Sequence, residues 1–283
     1  MFKYSCFALL LFVQSLYSEE TYVEGYLWGQ LGNQLFIVAA TYTHALDHGA
    51  IPVFPNLGNQ NGYGLPVNRE KIFPHLNAFD PKLVNVPTYE DTNHHYRELP
   101  FSGSMILKGF FQSEKYFRHR KEEILELFAP SEEIKQTIAC KYSDILKHPK
   151  TVSVHVRMYQ DTLPIYHPFV GWRYIHKAMD LFDEDSLFLV FSDNIPQCKR
   201  ALSRSKQKNL VYIEGNSHYI DLHLMSMCKD HIISNSSFSW WGAYLNKNTN
   251  KRVFTPFHKR WFGSANAHLN TEDLIPEEWV ELL

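Results

Sequence analysis

Strand-like runs alternate with helical patterns through the second half of the chain, and this alternation constrains the fold more than any other feature. The predicted strands cover residues 151–156, 187–191, 210–213, 231–234 and 252–255, and helical patterns fill most of the intervals. Alternation of this kind favours a parallel, doubly wound sheet with helices on both faces. Such sheets bind ligands beyond the carboxyl ends of their strands. Polar residues that directly follow a strand are therefore the first candidates for a site.

Three polar clusters follow strands in this half of the chain and can share one rim. They are His155 with Arg157, the residues 192–194 (Ser-Asp-Asn), and the residues 234–237 (Ser-Asn-Ser-Ser). An arginine at this rim binds phosphate charge, and Asp193 is suited to a ribose or a base edge. The third cluster runs into a helix, whose free N–H groups favour a phosphate. The alternative, that these residues only cap the helix, is weaker once the clusters converge. The sequence therefore predicts a nucleotide-type ligand.

The first half contains a βαβ unit followed by a loop-rich segment. A strand over residues 22–27 leads into a glycine turn, a helix over 35–47 and a strand over 51–54. The turn reads GQLGNQ rather than GxGxxG, so no nicotinamide site is predicted. Residues 55–100 are expected to form an irregular insertion that shapes a substrate cleft, with His94 and His95 as solvated loop residues. Further helices are predicted over 115–128 and, at the C-terminus, over 277–282.

Charge, cysteine content and the N-terminus narrow the function classes. The formal net charge of −2 gives no basic field for nucleic acid. Residues 1–18 resemble a signal peptide or a short membrane anchor, which predicts a secretory lumen or membrane association, with a cytoplasmic location as the alternative. Three cysteines lie beyond this segment, so no disulfide framework is expected, and Cys140 and Cys228 are predicted to be buried.

Four blocks together resemble the α-1,2-fucosyltransferases, glycosyltransferase family 11. The blocks are GQLGNQLF from Gly29, HVR from His155, FSDN from Phe191, and DLHLMSMCKDHIISNSSFSWWGAYLN from Asp221. The resemblance implies an α/β, GT-B-like fold of two Rossmann-like lobes with the donor site in the C-terminal lobe. Residues 19–149 would form the acceptor-side lobe and 150–283 the nucleotide-sugar-binding lobe. It also implies GDP-fucose as donor, no required metal or other cofactor, and inverting transfer to the 2-hydroxyl of a galactose-terminated glycan.

The resemblance also implies roles for individual residues. The family's HxRRGDY motif falls on residues 155–161, with Arg157 kept, Met158 in place of the second arginine, and the acid displaced to Asp161. Catalytic roles fall on Arg157 and Asp161, although His155 is an alternative base or else a core histidine. The implied donor-binding residues are His155, Arg157, Asp193, Asn194, Asn235, Ser236, Ser237 and Phe238. The implied cleft residues are Gly32, Asn33 and Gln34, whose alternative role is to fix the turn before the first helix.

Three functional hypotheses stay open at this point. The first is the fucosyltransferase itself. The second is a transferase for another nucleotide sugar, which Met158 favours because it changes the donor motif. The third is a sugar-nucleotide-binding protein without turnover, suggested by the same substitution and by the uncertain base. The Asp183-Glu184-Asp185 run precedes a strand and is interpreted as a turn, so no metal site is predicted.

Overall fold

The computed structural model describes residues 20–59, 62–159 and 162–283. The predicted signal peptide or anchor at residues 1–18 and the candidate base Asp161 both lie outside the described residues. Within the described ranges no helix is long and apolar enough to cross a membrane.

The N-terminal lobe is built on a four-stranded parallel sheet with strand order β2-β1-β4-β3. Its elements are β1 (Tyr22–Gly25), α1 (Leu31–Asp47), β2 (Ile51–Val53), α2 (Asn56–Asn59), α3 (Leu65–Lys71), β3 (Thr88–Glu90), β4 (Met105–Lys108), two 3₁₀ turns (Glu114–Tyr116 and Arg118–Arg120) and α4 (Lys121–Leu127). The predicted βαβ unit is present. Helix α1 begins four residues before the predicted start, directly after the glycine turn.

The C-terminal lobe is built on a six-stranded parallel sheet with strand order β10-β9-β8-β5-β6-β7. Its elements are α5 (Glu132–Leu146), β5 (Thr151–Val156), α6 (Trp172–Met179), β6 (Leu187–Ser192), α7 (Ile195–Leu202), β7 (Leu210–Tyr212), α8 (His218–Ser226), β8 (Asp230–Ile232), α9 (Ser237–Tyr244), β9 (Val253–Pro256), two 3₁₀ turns (His258–Arg260 and Ser264–Asn266) and β10 (Val280–Leu282). Two parallel sheets in two α/β lobes confirm the predicted fold class.

The two lobes share one hydrophobic core, centred on the contact between α1 and α9. The ring of Phe36 on α1 lies 4.5 Å from that of Trp240 and 5.1 Å from that of Trp241. Phe117 stacks on Trp241 from the other side at 5.4 Å. All four side chains are fully buried. The aromatic pair in the block SSFSWW therefore packs the lobes together, and burial of this kind contributes about 1.5–3 kcal/mol per large side chain.

Helix α5 precedes the predicted domain boundary at residue 149 but packs against the lobe beyond that boundary. Its apolar face, formed by Ile134, Ile138 and Tyr142, is buried against Ile220 and Leu224 of α8. The helix thus packs with the C-terminal lobe although it precedes the first strand of that lobe.

Three predictions about local structure were wrong. Residues 280–282 form an edge strand instead of a helix, because Val280 to Leu282 pair in parallel with Phe254 to Pro256 of β9. The helix predicted over 115–128 is interrupted at Phe117, whose φ of −141° and ψ of 0° are not helical and whose ring is buried in the shared core. Cys140 is exposed on the polar face of α5, whereas Cys228 is buried as predicted.

Candidate active site

The candidate site lies where the topological switch points of the two sheets face each other. In the C-terminal lobe the chain proceeds from β5 outward to β6 and β7, and then returns to β8 on the other side of β5. In the N-terminal lobe β1 is flanked by β2 on one side and β4 on the other. Open α/β sheets bind ligands at such points. Residues from both lobes line a single cleft of about 680 Å³ there.

Two helix N-termini meet at this cleft. Helices α1 and α9 both begin without a side-chain cap, and neither carries an acidic residue in its first turn. They approach so closely that a Cβ on Gly32 would lie 2.5 Å from the backbone nitrogen of Phe238 and 2.5 Å from the carbonyl carbon of Ser237. Only glycine fits this contact. The free N–H groups and the positive ends of two helix dipoles therefore converge on one place, which favours an anion.

Arg157 brings a guanidinium group into the same cleft. It follows β5 directly, and its guanidinium Nη1 donates to Asp193 Oδ2 at 3.0 Å. Asp193 also accepts from the backbone N–H groups of Met158 and Tyr159, at 2.9 and 3.1 Å. The Tyr159 ring lies beneath the guanidinium at 5.1 Å, with Tyr159 at a φ of 52°. Asp193 thus orients the arginine and the chain around it, and these hydrogen bonds use the lone pairs of its carboxylate.

A hydrogen-bonded bridge joins the lobes at the floor of the cleft. Asn33 Oδ1 accepts from Ser237 Oγ at 2.9 Å and from Gln112 Nε2 at 2.8 Å. Gln34, by contrast, is fully buried and does not line the cleft. Its side chain donates to the carbonyl oxygens of Gly29 and Tyr63, at 2.7 and 3.0 Å. Asn33 therefore faces the cleft, while Gln34 fixes the turn before α1.

His155 and Asn235 form hydrogen bonds that stabilise the wall contributed by the C-terminal lobe. His155 Nδ1 is hydrogen-bonded to Ser234 Oγ at 2.8 Å, and burial, aided by the charge of Arg157, lowers the pKa of His155 to about 3. The ring is therefore neutral at physiological pH. Asn235 Nδ2 donates to the carbonyl oxygens of Pro168 and Trp261, at 2.8 and 2.9 Å. Asn235 ties the long loop after β5 to the C-terminal segment above the cleft.

A second carboxylate lines the cleft at the far end of the rim. Asp221 lies in the first turn of α8, and its Oδ1 accepts from Asn216 Nδ2 at 2.8 Å. Asn216 is oriented in turn, because its Oδ1 accepts from Lys141 Nζ and from Tyr142 Oη, at 2.7 and 3.0 Å. Burial raises the pKa of Asp221 to about 6, against smaller lowering effects of Asn216 and Lys141. The carboxylate is ionised at neutral pH with lone pairs left for a ligand.

Comparisons with known proteins agree with this geometry. The sequence profile described as Glycosyl transferase family 11 matches residues 75–282. An α-1,2-colitosyltransferase from Escherichia coli is 32% identical over 90% of this chain and 97% of its own length.

The chain belongs to glycosyltransferase family 11.

More distant relatives and folds extend the comparison. The galactoside 2-alpha-L-fucosyltransferase Sec1 of Mus musculus is 26% identical over 77% of this chain and 62% of its own length. Among solved structures, the fucosyltransferase NodZ from Bradyrhizobium superposes with a TM-score of 0.56 and 16% identity, covering 80% of this chain and 92% of that one. This fold is GT-B-like, and the family assignment makes the chain a glycosyltransferase.

The structure brings most of the sequence-derived site residues of this family 11 chain together. The cleft is lined by Gly32, Asn33, His155, Arg157, Asp193, Asn235, Ser236, Ser237 and Phe238. Asn194 lies outside the main cleft, where its Oδ1 accepts from Gln197 N at 3.1 Å and caps α7. Arg173, the next arginine after Arg157 in the sequence, is exposed on α6 and does not line the cleft.

Sequence reasoning missed two groups of cleft residues in this family 11 chain. Asp221 was named only as the first residue of the fourth sequence block, although an acid in the first turn of a helix that follows a strand is a signal for the rim. His94 was predicted to be solvated, yet it lines the cleft between the rings of Phe110 and Phe262. No local pattern marks this second group, because it is assembled from three distant segments. In the described ranges no group of three or more His, Cys, Asp or Glu residues is arranged to hold a metal.

Proposed function

We propose that this protein transfers L-fucose from GDP-fucose to the 2-hydroxyl of a terminal β-galactoside with inversion. The observation that carries the proposal is the convergence of Arg157 with the N-termini of α1 and α9 at the switch point of the C-terminal sheet. A diphosphate leaving group requires positive charge and hydrogen-bond donors where its own charge develops. The cleft offers both in a fixed arrangement.

Neighbouring residues have different roles when the diphosphate leaves. Arg157 would donate to two diphosphate oxygens, since a guanidinium engages phosphate in a bidentate manner. The first-turn N–H groups of α9 and the hydroxyl of Ser236 would donate hydrogen bonds to the remaining diphosphate oxygens. Asp193 acts as the positioning residue of Arg157, because its carboxylate holds the guanidinium at 3.0 Å. It was first expected at a ribose or base edge, but that role suits a carboxylate with unused lone pairs.

Asp221 supplies such a carboxylate and supports guanine as the base. In the sheet order β8-β5-β6-β7, the phosphate-binding groups follow β8 and β5, whereas Asp221 lies after β7. Two strand spacings, about 10 Å, separate the ends of β5 and β7. This separation is comparable with that between the phosphates and the base edge of a nucleoside diphosphate. An ionised carboxylate accepts hydrogen bonds from the N1–H and 2-amino groups of guanine. Adenine does not offer this pair of donors.

A second donor is a specific alternative. The 32% identical E. coli relative is named for colitose transfer, and colitose is fucose without its 3-hydroxyl. Met158 takes the position of the second arginine of the family motif, which removes one charge from the donor loop. GDP-colitose therefore competes with GDP-fucose as the donor of this chain, and the diphosphate and base contacts serve both.

Two further features accompany this proposal. The positive charge of Arg157 and the helix termini replaces a metal ion at the diphosphate, so transfer is proposed to be metal-independent. Association with a membrane or a secretory lumen is proposed from residues 1–18 alone.

One assay tests the function. Purified protein is incubated with a β-galactoside and, in parallel, GDP-fucose or GDP-colitose, and both released GDP and the linkage of the product are measured. An α-1,2-linked fucosyl product supports the proposal, and product with GDP-colitose alone selects the alternative donor. Binding of GDP without any product would instead favour the non-catalytic hypothesis. The Arg157→Ala variant is the matched control for contaminating activity.

A further inference from the structure

His94 occupies a fixed position on the wall that the N-terminal lobe contributes to the cleft. It lies in the loop after β3 with a φ of 61°, a left-handed conformation that is uncommon for a residue other than glycine. Asp91 holds the loop from one side, because its two oxygens accept from the N–H groups of Asn93 and Phe111, at 3.3 and 3.1 Å. The N–H of Asn270 donates to the carbonyl of Asn93 at 3.1 Å from the other side. Backbone strain held in place in this way is typical of functional positions.

The half-buried ring of His94 has one buried nitrogen without a hydrogen bond, as His95 and His223 also do. Nδ1 is buried and has no hydrogen-bond partner among residues 20–59, 62–159 and 162–283. His155 and His231, in contrast, are both hydrogen-bonded through ring nitrogens, at 2.8 and 2.7 Å. The His94 ring instead packs against Phe110 and Phe262, with ring centroids 5.7 and 5.3 Å away. His94 lines the cleft, and its other nitrogen, Nε2, makes no hydrogen bond within the described residues, so Nε2 is available for a ligand.

We propose that His94 is the catalytic base that accepts the proton of the acceptor hydroxyl. This inference rests on the proposed function and deepens it. As the Nδ1–H tautomer, the neutral ring presents the lone pair of Nε2 to the cleft. The acceptor oxygen forms its bond to the anomeric carbon while its proton passes to Nε2. The bond from that carbon to the phosphate oxygen breaks, and its electron pair leaves with the diphosphate toward Arg157. The imidazolium then releases its proton to solvent.

The arrangement of the walls fits inversion. In an inverting transfer the acceptor and the leaving group lie on opposite sides of the anomeric carbon. His94 belongs to the wall of the N-terminal lobe, and Arg157 to the opposite wall. Phe110 and Phe262, on either side of His94, offer apolar faces to the C–H groups of a galactoside.

Charges around His94 suit a base that works at neutral pH. Burial lowers the pKa of His94, with an additional lowering by His268 from the C-terminal segment and an opposing effect of Asp91 on its own loop. His167 lies on the far side of Phe262, at 5.7 Å between ring centroids. The free ring is therefore unprotonated at neutral pH. The Asp91 carboxylate favours the imidazolium that forms during transfer.

The test uses His94→Gly, because glycine adopts the φ of 61° without strain. The adjacent His95 provides the matched control: it does not line the cleft, and its Nε2 accepts from Arg97 Nε at 3.2 Å. For His94→Gly we expect kcat to fall by about 10²–10⁴, with unchanged affinity for GDP and partial rescue by added imidazole. The acid limb of the wild-type pH profile of kcat should disappear when kcat is measured at saturating donor, where a change in donor affinity from Asp221 does not contribute. His95→Gly should keep wild-type kcat and show no response to imidazole.

Two results would overturn the assignment of His94. One is wild-type kcat in His94→Gly. The other is a loss of kcat that imidazole does not restore and that leaves the acid limb in place. Both results are measured as rates of sugar transfer. Failure of the wild-type protein to bind GDP would instead contradict the proposed donor site. The two proposals therefore fail by different observations.

Discussion

Replacing Asp221 with asparagine should change which base the donor site accepts. The substitution keeps the size of the side chain and its hydrogen bond to Asn216, but it turns one acceptor oxygen into an amide donor. The new amide N–H group then faces an N–H group of guanine, and two donors cannot form a hydrogen bond. Xanthine carries an oxygen where guanine has its 2-amino group, so it gains the partner that guanine loses.

The expected magnitude follows from two hydrogen bonds to a charged group. Each contributes about 1.5–3 kcal/mol. Because the cleft is open to solvent, the lower end of this range applies. Asparagine loses one of the two bonds and weakens the other by removing its charge, so the loss is about 2 kcal/mol, or about 30-fold in the dissociation constant. Inosine diphosphate, which lacks the 2-amino group, should bind the wild-type protein about tenfold more weakly than GDP for the loss of one bond.

Isothermal titration of GDP, inosine diphosphate and xanthosine diphosphate measures these differences directly. The control is Glu214→Gln, which removes a nearby exposed acid that pairs with Lys199 at 2.6 Å and does not line the main cleft. It should leave all three affinities unchanged. Circular dichroism and Tm show whether Asp221→Asn keeps the fold.

The pH dependence provides a second readout of the same carboxylate. Since the pKa of Asp221 is raised to about 6, GDP affinity should be full above this value and decrease as pH falls through it. The Asp221→Asn variant should lose this dependence. Wild-type GDP affinity in Asp221→Asn, or a variant that binds xanthosine diphosphate no better than the wild type does, would refute the reading of Asp221 as the base-selecting residue.

Four other perturbations have defined outcomes. Arg157→Ala should lower kcat by about 10²–10³, measured by released GDP; unchanged turnover would contradict its role. Gly32→Ala places a Cβ 2.5 Å from backbone atoms of α9 and should lower Tm by several degrees. Gly62→Ala, whose Cβ meets no atom of the described residues within 4 Å, should not. His155 and His231 have pKa values lowered to about 3 by burial, so the unfolded state binds more protons between about pH 3 and pH 6.5. Stability is therefore full above that window and falls by up to about 2.7 kcal/mol per pH unit within it; urea unfolding with no loss at about pH 5.5 would contradict this. Chelation with EDTA should leave the transfer rate unchanged, and loss of activity that Mg²⁺ restores would show a metal requirement.

The fold and the donor wall follow from local patterns in the sequence. Alternating strands and helices specify a parallel sheet, and the polar residues after β5 and β8 are placed on one rim by that topology alone. Arg157, Ser236 and Ser237 could therefore be assigned to the cleft before any coordinates.

The remaining features depend on contacts between distant segments. Gly32 lies against Ser237 across the two lobes, and the cause is a helix crossing that no local pattern encodes. The sequence predicts Asp193 as an acid at the rim, but its role in positioning Arg157 depends on the distance between the ends of two strands. His94 is placed by a long irregular segment, where hydrogen bonds of Asp91 replace secondary structure. Edge strand β10 was mistaken for a helix, because three residues carry too little periodicity to separate the two.

A crystal structure of the GDP complex tests the central claim most directly. We predict diphosphate oxygens about 3 Å from the Arg157 guanidinium and from first-turn N–H groups of α9, with the guanine N1–H and 2-amino groups on the carboxylate of Asp221. A diphosphate bound away from Arg157, or a base that does not contact Asp221, would contradict this account of the donor site.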